Sequence, residues 1–164
     1  MVFHNIYYYP RENMKLDEVY ACAKNLNYTH VMIVRYNNRG YELLIRHLEG
    51  MLGVFKVTNV QFQKEIKHHG VASEHIPELI LNNFDSKIGV KVGRLLASLF
   101  PQNPEFKGRR VVTFHNQRDF IFFRHHRYIF TEGYEGVNMQ EIGPRFTLQV
   151  KKVFAGTEEK VGGL

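Results

Sequence analysis

The apolar residues fall into two successive runs of nearly the same rhythm, each pairing one helix-spaced set with several strand-length sets, and this near repeat restricts the chain to mixed α/β architectures. In the first run Leu16, Val19, Tyr20, Ala23 and Leu26 recur at helical spacing, and Val31 to Val34 then reads as a buried strand. Asn37-Asn38-Arg39-Gly40 is a turn sequence, after which Tyr41 to Leu48 and Val54 to Phe62 read as two more strands joined across Gly50 to Gly53. The second run opens with a strand at Glu78 to Phe84. Ser86 is then placed as the N-cap of a helix from Lys87 to Phe100, with Ile88, Val92, Leu95 and Leu99 on its apolar face and Pro101 as its stop. Arg110 to His115, Phe120 to Phe130 and Gln140 to Val153, the last in one or two pieces, complete the set, with Asn116 to Asp119 a tight turn. No low-complexity tract separates the two runs, only a soft joint near His68 to Glu74. The expected fold is therefore α/β (α+β): two similar halves, each a mainly antiparallel sheet with helices on one face.

Composition removes several classes. At 164 residues and 44% hydrophobic, the chain has the length and apolar content of a single globular domain. One cysteine, Cys22, closes no intramolecular disulfide and builds no multi-cysteine zinc site, and a reducing compartment fits. No run approaches the roughly 18 apolar residues of a membrane span, so neither a membrane nor export is expected. Ser73, Ser86 and Ser98, the only serines, lie in no nucleophile motif, and His68, His69 and His75, or His115 with His125 and His126, lack metal-ligand spacing. No enzyme, cofactor, metal or small-molecule substrate is expected.

Charge points instead to a polyanion: the net charge is +6, which makes nucleic acid the first partner to test. The segment Lys107 to Arg127 is the densest in cations and aromatics. One reading is a phosphate-gripping edge of Arg109, Arg110, Arg118, Arg124 and Arg127, to which His126 adds charge as pH falls. The competing reading is a solvated hairpin whose arginines pair with Asp119 and Glu105. Phe120 to Phe123 reads as a strand apolar on both faces, hence core rather than a base-stacking platform. Lys87, Lys91 and Arg94 form a second basic stripe at i, i+4 and i+7. Gly89, Gly93 and Ala97 read as small residues that let their helix pack closely, not as a phosphate loop. Asp119 is expected to organise the turn, through its amides or by pairing with Arg118 or Arg110.

His75-Ile-Pro-Glu-Leu-Ile-Leu-Asn-Asn-Phe84, Gly93-Arg-Leu-Leu-Ala-Ser-Leu-Phe-Pro101, Gly108 to Tyr128 and Glu141-Ile-Gly-Pro-Arg-Phe-Thr-Leu148 together resemble the Brix domain of eukaryotic ribosome-assembly factors, with a lean toward its large-subunit branch. The resemblance implies two halves like anticodon-binding domains, one domain over 1–157 (halves 1–70 and 71–157) and a short tail at 158–164. It also implies a non-enzymatic role in the nucleus and nucleolus. The implied partners are precursor ribosomal RNA, the pre-60S particle and a dedicated protein. The family's basic block falls on Arg109, Arg110, Asn116, Arg118, Asp119, Arg124 and His126, and its Gly-Pro-Arg turn on Gly143, Pro144 and Arg145. A small-subunit factor associated with U3 RNA, or a module binding an acidic protein without RNA, are the alternatives. In the family the first half opens with a strand, a Thr/Ser-rich loop and a long helix, and this sequence starts after them; the family's basic tail is likewise not seen. Tyr7, Tyr8, Val31, Ile33, Leu43 and Ile45 are therefore expected to be under-covered.

Overall fold

The computed structural model describes residues 2–154. Its elements are α1 (Leu16–Asn25), β1 (His30–Asn37), β2 (Gly40–His47), β3 (Leu52–Gln61), β4 (Glu78–Asn82), α2 (Lys87–Ala97), β5 (Arg110–Gln117), β6 (Phe120–Phe130), β7 (Val137–Glu141) and β8 (Arg145–Phe154). The strands form a mainly antiparallel sheet in the order β1-β2-β3-β8-β6-β5-β4, with β7 also on β6. β4 and β5, joined through α2, pair in parallel, as a crossover helix requires. The chain divides into two compact units, one of the residues up to Asn5 with Val57–Gln149, the other of Ile6–Lys56 with the residues from Val150.

In the smaller unit α1 opens with Asp17 and Glu18, whose charge suits a helix N-terminus, and the Lys15 N–H donates to Glu18 Oε2 at 2.9 Å. Leu16 and Tyr20 pack on a core of Ile33, Leu44, Leu52 and Val54, which Val31 and Phe154 also meet. The Arg46 guanidinium lies 5.8 Å from the centre of the Tyr20 ring. Tyr7 and Tyr8 are exposed, as expected, but Ile33 and Ile45 are buried and Val31 and Leu43 half-buried. Ile33 alternates onto the α1 side, so the uncovered apolar side chains of the hairpin are instead Val34, Tyr36 and Tyr41.

In the larger unit Ser86 Oγ caps α2 by accepting from the Gly89 N–H at 2.9 Å, an interaction worth about 1 kcal/mol. Val92, Leu95 and Leu96 are buried. A Cβ on Gly93 would lie 3.3 Å from the Phe84 ring, and one on Gly89 2.9 Å from Ser86 Oγ, so these glycines serve close packing. The helix ends at Ala97; Leu99 and Phe100 continue through tighter turns, their N–H groups donating to Leu96 and Ala97. Phe100 sits 6.1 Å from Phe114, Phe114 5.2 Å from Phe123, and Phe123 stacks on Phe146 at 4.3 Å, an aromatic column through this core.

The β5–β6 hairpin closes over Arg118 and Asp119 with φ of 50° and 67°, the two-residue I′ loop whose twist matches the strands. Phe120 to Phe123 of β6 are not buried on both faces, as their apolar run had suggested. Ile121, Phe123 and His125 are buried, while Phe120 is exposed and Phe122 half-buried on the other face. The tract from Gln140 onward is two strands. They break at Ile142-Gly143-Pro144, where Gly143 has φ 77° and a Cβ would lie 2.6 Å from Ile66 Cδ1.

Candidate nucleic-acid interface

Arg109 and Arg110 are adjacent in sequence and opposite in fate. Arg109 is exposed with φ 45° at the end of a short turn, whereas Arg110 begins β5 on the face it shares with Val112 and Phe114. Arg110 is 2% exposed and is therefore not available as the phosphate contact expected of it. Its guanidinium donates from Nη1 to the Ser73 carbonyl and, at 2.7 Å, to the His75 carbonyl, and from Nε to His125 Nε2 at 3.2 Å. His125, 1% exposed, donates in turn from Nδ1 to the Gly143 carbonyl at 2.8 Å. One tautomer satisfies both bonds, neutral with the proton on Nδ1. The network ties the 73–75 segment, β5, β6 and the Gly-Pro turn together.

Burial, reinforced by the Arg110 charge, holds the His125 pKa down to about 4 against the opposing Gly143 bond. His30 is likewise lowered to about 4 by burial and by His47, whose ring meets it edge-on at 4.6 Å. Both are neutral when folded, while unfolded histidine titrates near 6.5. Below pH 6.5 the unfolded chain thus binds more protons, so stability is full above that value and falls as pH drops toward 4, by up to about 1.4 kcal/mol per pH unit from buried His125 and by less from half-buried His30, whose shift solvent screens. Urea midpoints should accordingly fall from pH 7.5 to pH 5; a flat profile would show that neither histidine is held neutral.

Other residues of the basic block also have structural duties. Arg145 grips Glu141 with two bonds, Nε to Oε1 at 2.9 Å and Nη2 to Oε2 at 2.6 Å, which removes most of its capacity for phosphate. Arg124 is half-buried and donates to the Phe123 carbonyl at 2.8 Å. His126 is half-buried, and burial lowers its pKa, so it gains charge at lower pH than a free histidine. Asn116 Nδ2 donates to the Asn83 carbonyl at 2.9 Å. Among the described residues the Asp119 carboxylate has no partner; the loop is set by backbone conformation instead. Glu105 accepts from the Ile76 N–H at 2.9 Å and pairs with no arginine.

The exposed cations group by position. Lys87, Lys91 and Arg94 stand on the solvent face of α2, and among the described residues no acidic group pairs with them. The Asn116–Asn83 bond fastens the hairpin turn that carries exposed Arg118 to the connection leading into α2, which brings that turn to the helix's N-terminal end. Arg109 and Arg127 lie at the other end of the β5–β6 ladder, about 25 Å from Arg118 at 3.3 Å per residue. Arg124, His126 and Arg145 belong to the sheet face turned away from the aromatic column. The expected edge is thus divided, with Arg118 at one end of the hairpin, Arg109 and Arg127 at the other and Arg124 and His126 on a sheet face, and the separately expected α2 stripe is the largest uncommitted group among the candidate cations. His125 and Gly143 are the structural partners that sequence reasoning missed; alternation with Ile121 and Phe123 was the available signal for His125.

Residues 1–152 match the Brix domain family, and the chain belongs to it. It is 43% identical over 165 residues to probable ribosome production factor 1 of Drosophila melanogaster, covering 99% of this chain and 42% of that protein. To ribosome production factor 1 of Saccharomyces cerevisiae it is 45% identical over 148 residues (89% of this chain, 50% of that one). To its namesake in Danio rerio it is 43% identical over 159 residues (95% and 48%). The chain thus spans half or less of the length of these relatives. The crystal structure of a probable ribosomal biogenesis protein from Aeropyrum pernix K1 shares the fold, with a TM-score of 0.52 at 13% identity over 84% of this chain and 76% of that one.

Proposed function

We propose that this chain acts in ribosome biogenesis by binding precursor ribosomal RNA on the stripe of Lys87, Lys91, Arg94 and Arg118, as a non-enzymatic assembly factor of the large subunit. The observation that carries the reading is the stripe itself: three exposed cations on a helix fixed by a cap and by glycine packing, with exposed Arg118 on the hairpin turn tethered near its start, none paired with an acidic group among the described residues. The names of the relatives, ribosome production factor 1, support the biological setting. The nucleolus, the pre-60S particle and a dedicated protein partner belong to the same reading. Sequencing the RNA that co-purifies with the tagged protein tests it. 27S-type precursors are the expected result; U3 RNA would transfer the protein to the small subunit, and RNA-free partners alone would overturn RNA binding.

Binding should also be salt-dependent in proportion to the stripe. If about four cations displace counterions from phosphates, log K against log salt should have a slope of roughly −2.8 to −3.6. Anisotropy titrations with a labelled RNA between low and moderate salt measure it, and a flat line would rule out the stripe as a phosphate contact.

A further inference from the structure

We propose that the outer edge of β7 is a docking site for an extended segment of a partner protein, which adds as a further strand beside Val137 to Met139. The hydrogen-bond parity of the ribbon determines what this edge offers. The Thr131 N–H donates to the Gly136 carbonyl at 3.0 Å and the Ile142 N–H to the His125 carbonyl at 2.8 Å, and the register between them pairs Ile129 with Asn138. The odd-numbered residues of β6 therefore bond toward β7. Val137, Met139 and Glu141, opposite Phe130, Tyr128 and His126, turn their own N–H and C=O groups outward. At one end this is already used: the Glu141 carbonyl accepts from the Gly70 N–H at 2.8 Å. From Met139 to Val137 no strand among the described residues pairs with the edge.

Soluble proteins usually block such an edge with lysine, proline or a bulge. β7 reads Val-Asn-Met-Gln-Glu and contains neither residue. Instead Val137 is 49% exposed, Met139 57% and, across the pair on the same face, Phe130 43%. A strand laid here would gain main-chain bonds and cover these side chains, the chemistry of β-strand addition. The ribbon tip carries exposed Glu132 and Glu135. The incoming segment is accordingly apolar at the alternate positions that face Val137 and Met139, and basic where it reaches the tip. That charge also argues against RNA on this edge, because phosphates would meet two carboxylates.

Amide hydrogen exchange resolved to single residues provides the test, on the protein in its native assembly before and after ribonuclease treatment and on the isolated chain. In the RNA-free assembly the Val137 and Met139 amides should exchange about tenfold or more slowly than in the isolated chain, while Asn138, bonded to β6, is protected in both. Met139→Pro removes one outward donor at a position not bonded to β6, and Met139→Lys places a charge on the edge. Both should abolish the extra protection at Val137 with the thermal unfolding temperature retained. Equal exchange in assembly and isolated chain would overturn the proposal. So would protection that disappears with the RNA, or protection that arises in the isolated chain as its concentration is raised, which would identify a second copy as the occupant. None of these results bears on the α2 stripe, so the RNA-binding reading stands or falls separately.

Discussion

Arg110→Ala should destabilise the protein by about 3–5 kcal/mol, because it leaves three hydrogen-bond acceptors without the donor that serves them. Three acceptors would lose their donors together: the Ser73 and His75 carbonyls and His125 Nε2. His125 Nε2 is buried and the two carbonyls are part-buried, and an unmet buried acceptor costs about 1–3 kcal/mol. Lysine is a poor substitute, since one ammonium cannot reproduce the planar fork that spans a ring nitrogen and two carbonyls. Against the 5–15 kcal/mol that holds a typical domain folded, the loss is large. For a chain of this size it corresponds to a fall of roughly 6–20 °C in the unfolding temperature. Arg109→Ala, one residue away and exposed, should stay within about 0.5 kcal/mol. Urea denaturation of the two variants side by side is decisive: equal midpoints would mean that the Arg110 network does not hold these segments together.

That contrast between neighbours marks where the sequence was legible. Element boundaries set by local chemistry could be read directly. Ser86 caps its helix, Pro101 closes off the segment after α2, the hairpin turn falls within Asn116 to Asp119 with its loop at Arg118 and Asp119, and Phe120 to Phe130 is one strand. Strand parity was harder to read. Val111 and Val112 are both buried, so β5 shows no apolar alternation, and nothing local says that Arg110 points inward with Val112 rather than outward. The hidden signal lies in the register, which places Arg110 opposite Arg127 and His125 opposite Val112. Commitments between distant residues were equally invisible. Asn83 claims Asn116 from 33 positions away, and even Glu141 and Arg145, four residues apart, are joined only because the chain breaks at Gly143-Pro144 between two strands. A basic composition therefore points to a polyanion partner but overstates the number of arginines free to meet one. The α2 stripe escaped this error, because helical spacing alone places Lys87, Lys91 and Arg94 on one face and the opposite face is plainly apolar.

Reversing that stripe with Lys87→Glu, Lys91→Glu and Arg94→Glu should weaken RNA binding by about 100-fold near physiological salt, since three phosphate contacts at about 1 kcal/mol each are lost and tenfold corresponds to 1.4 kcal/mol. The salt slope is the sharper readout. Each contact removed should lower it by about one unit or slightly less, so the variant should be nearly insensitive to salt where the parent is steep. Stability should hardly change, because the three side chains are exposed and have no acidic partners among the described residues. Lys24→Glu on α1 is the matched control: it alters net charge in the other unit and should leave both affinity and slope near their parent values. Arg118→Glu should weaken binding in the parent, while in the triple variant, which has already lost its main contacts, it should add little. If the triple variant binds unrelated RNAs as tightly as the parent at equal stability, the phosphates are held elsewhere. The exposed pair Arg109 and Arg127, at the far end of the hairpin, would then be the next cations to reverse.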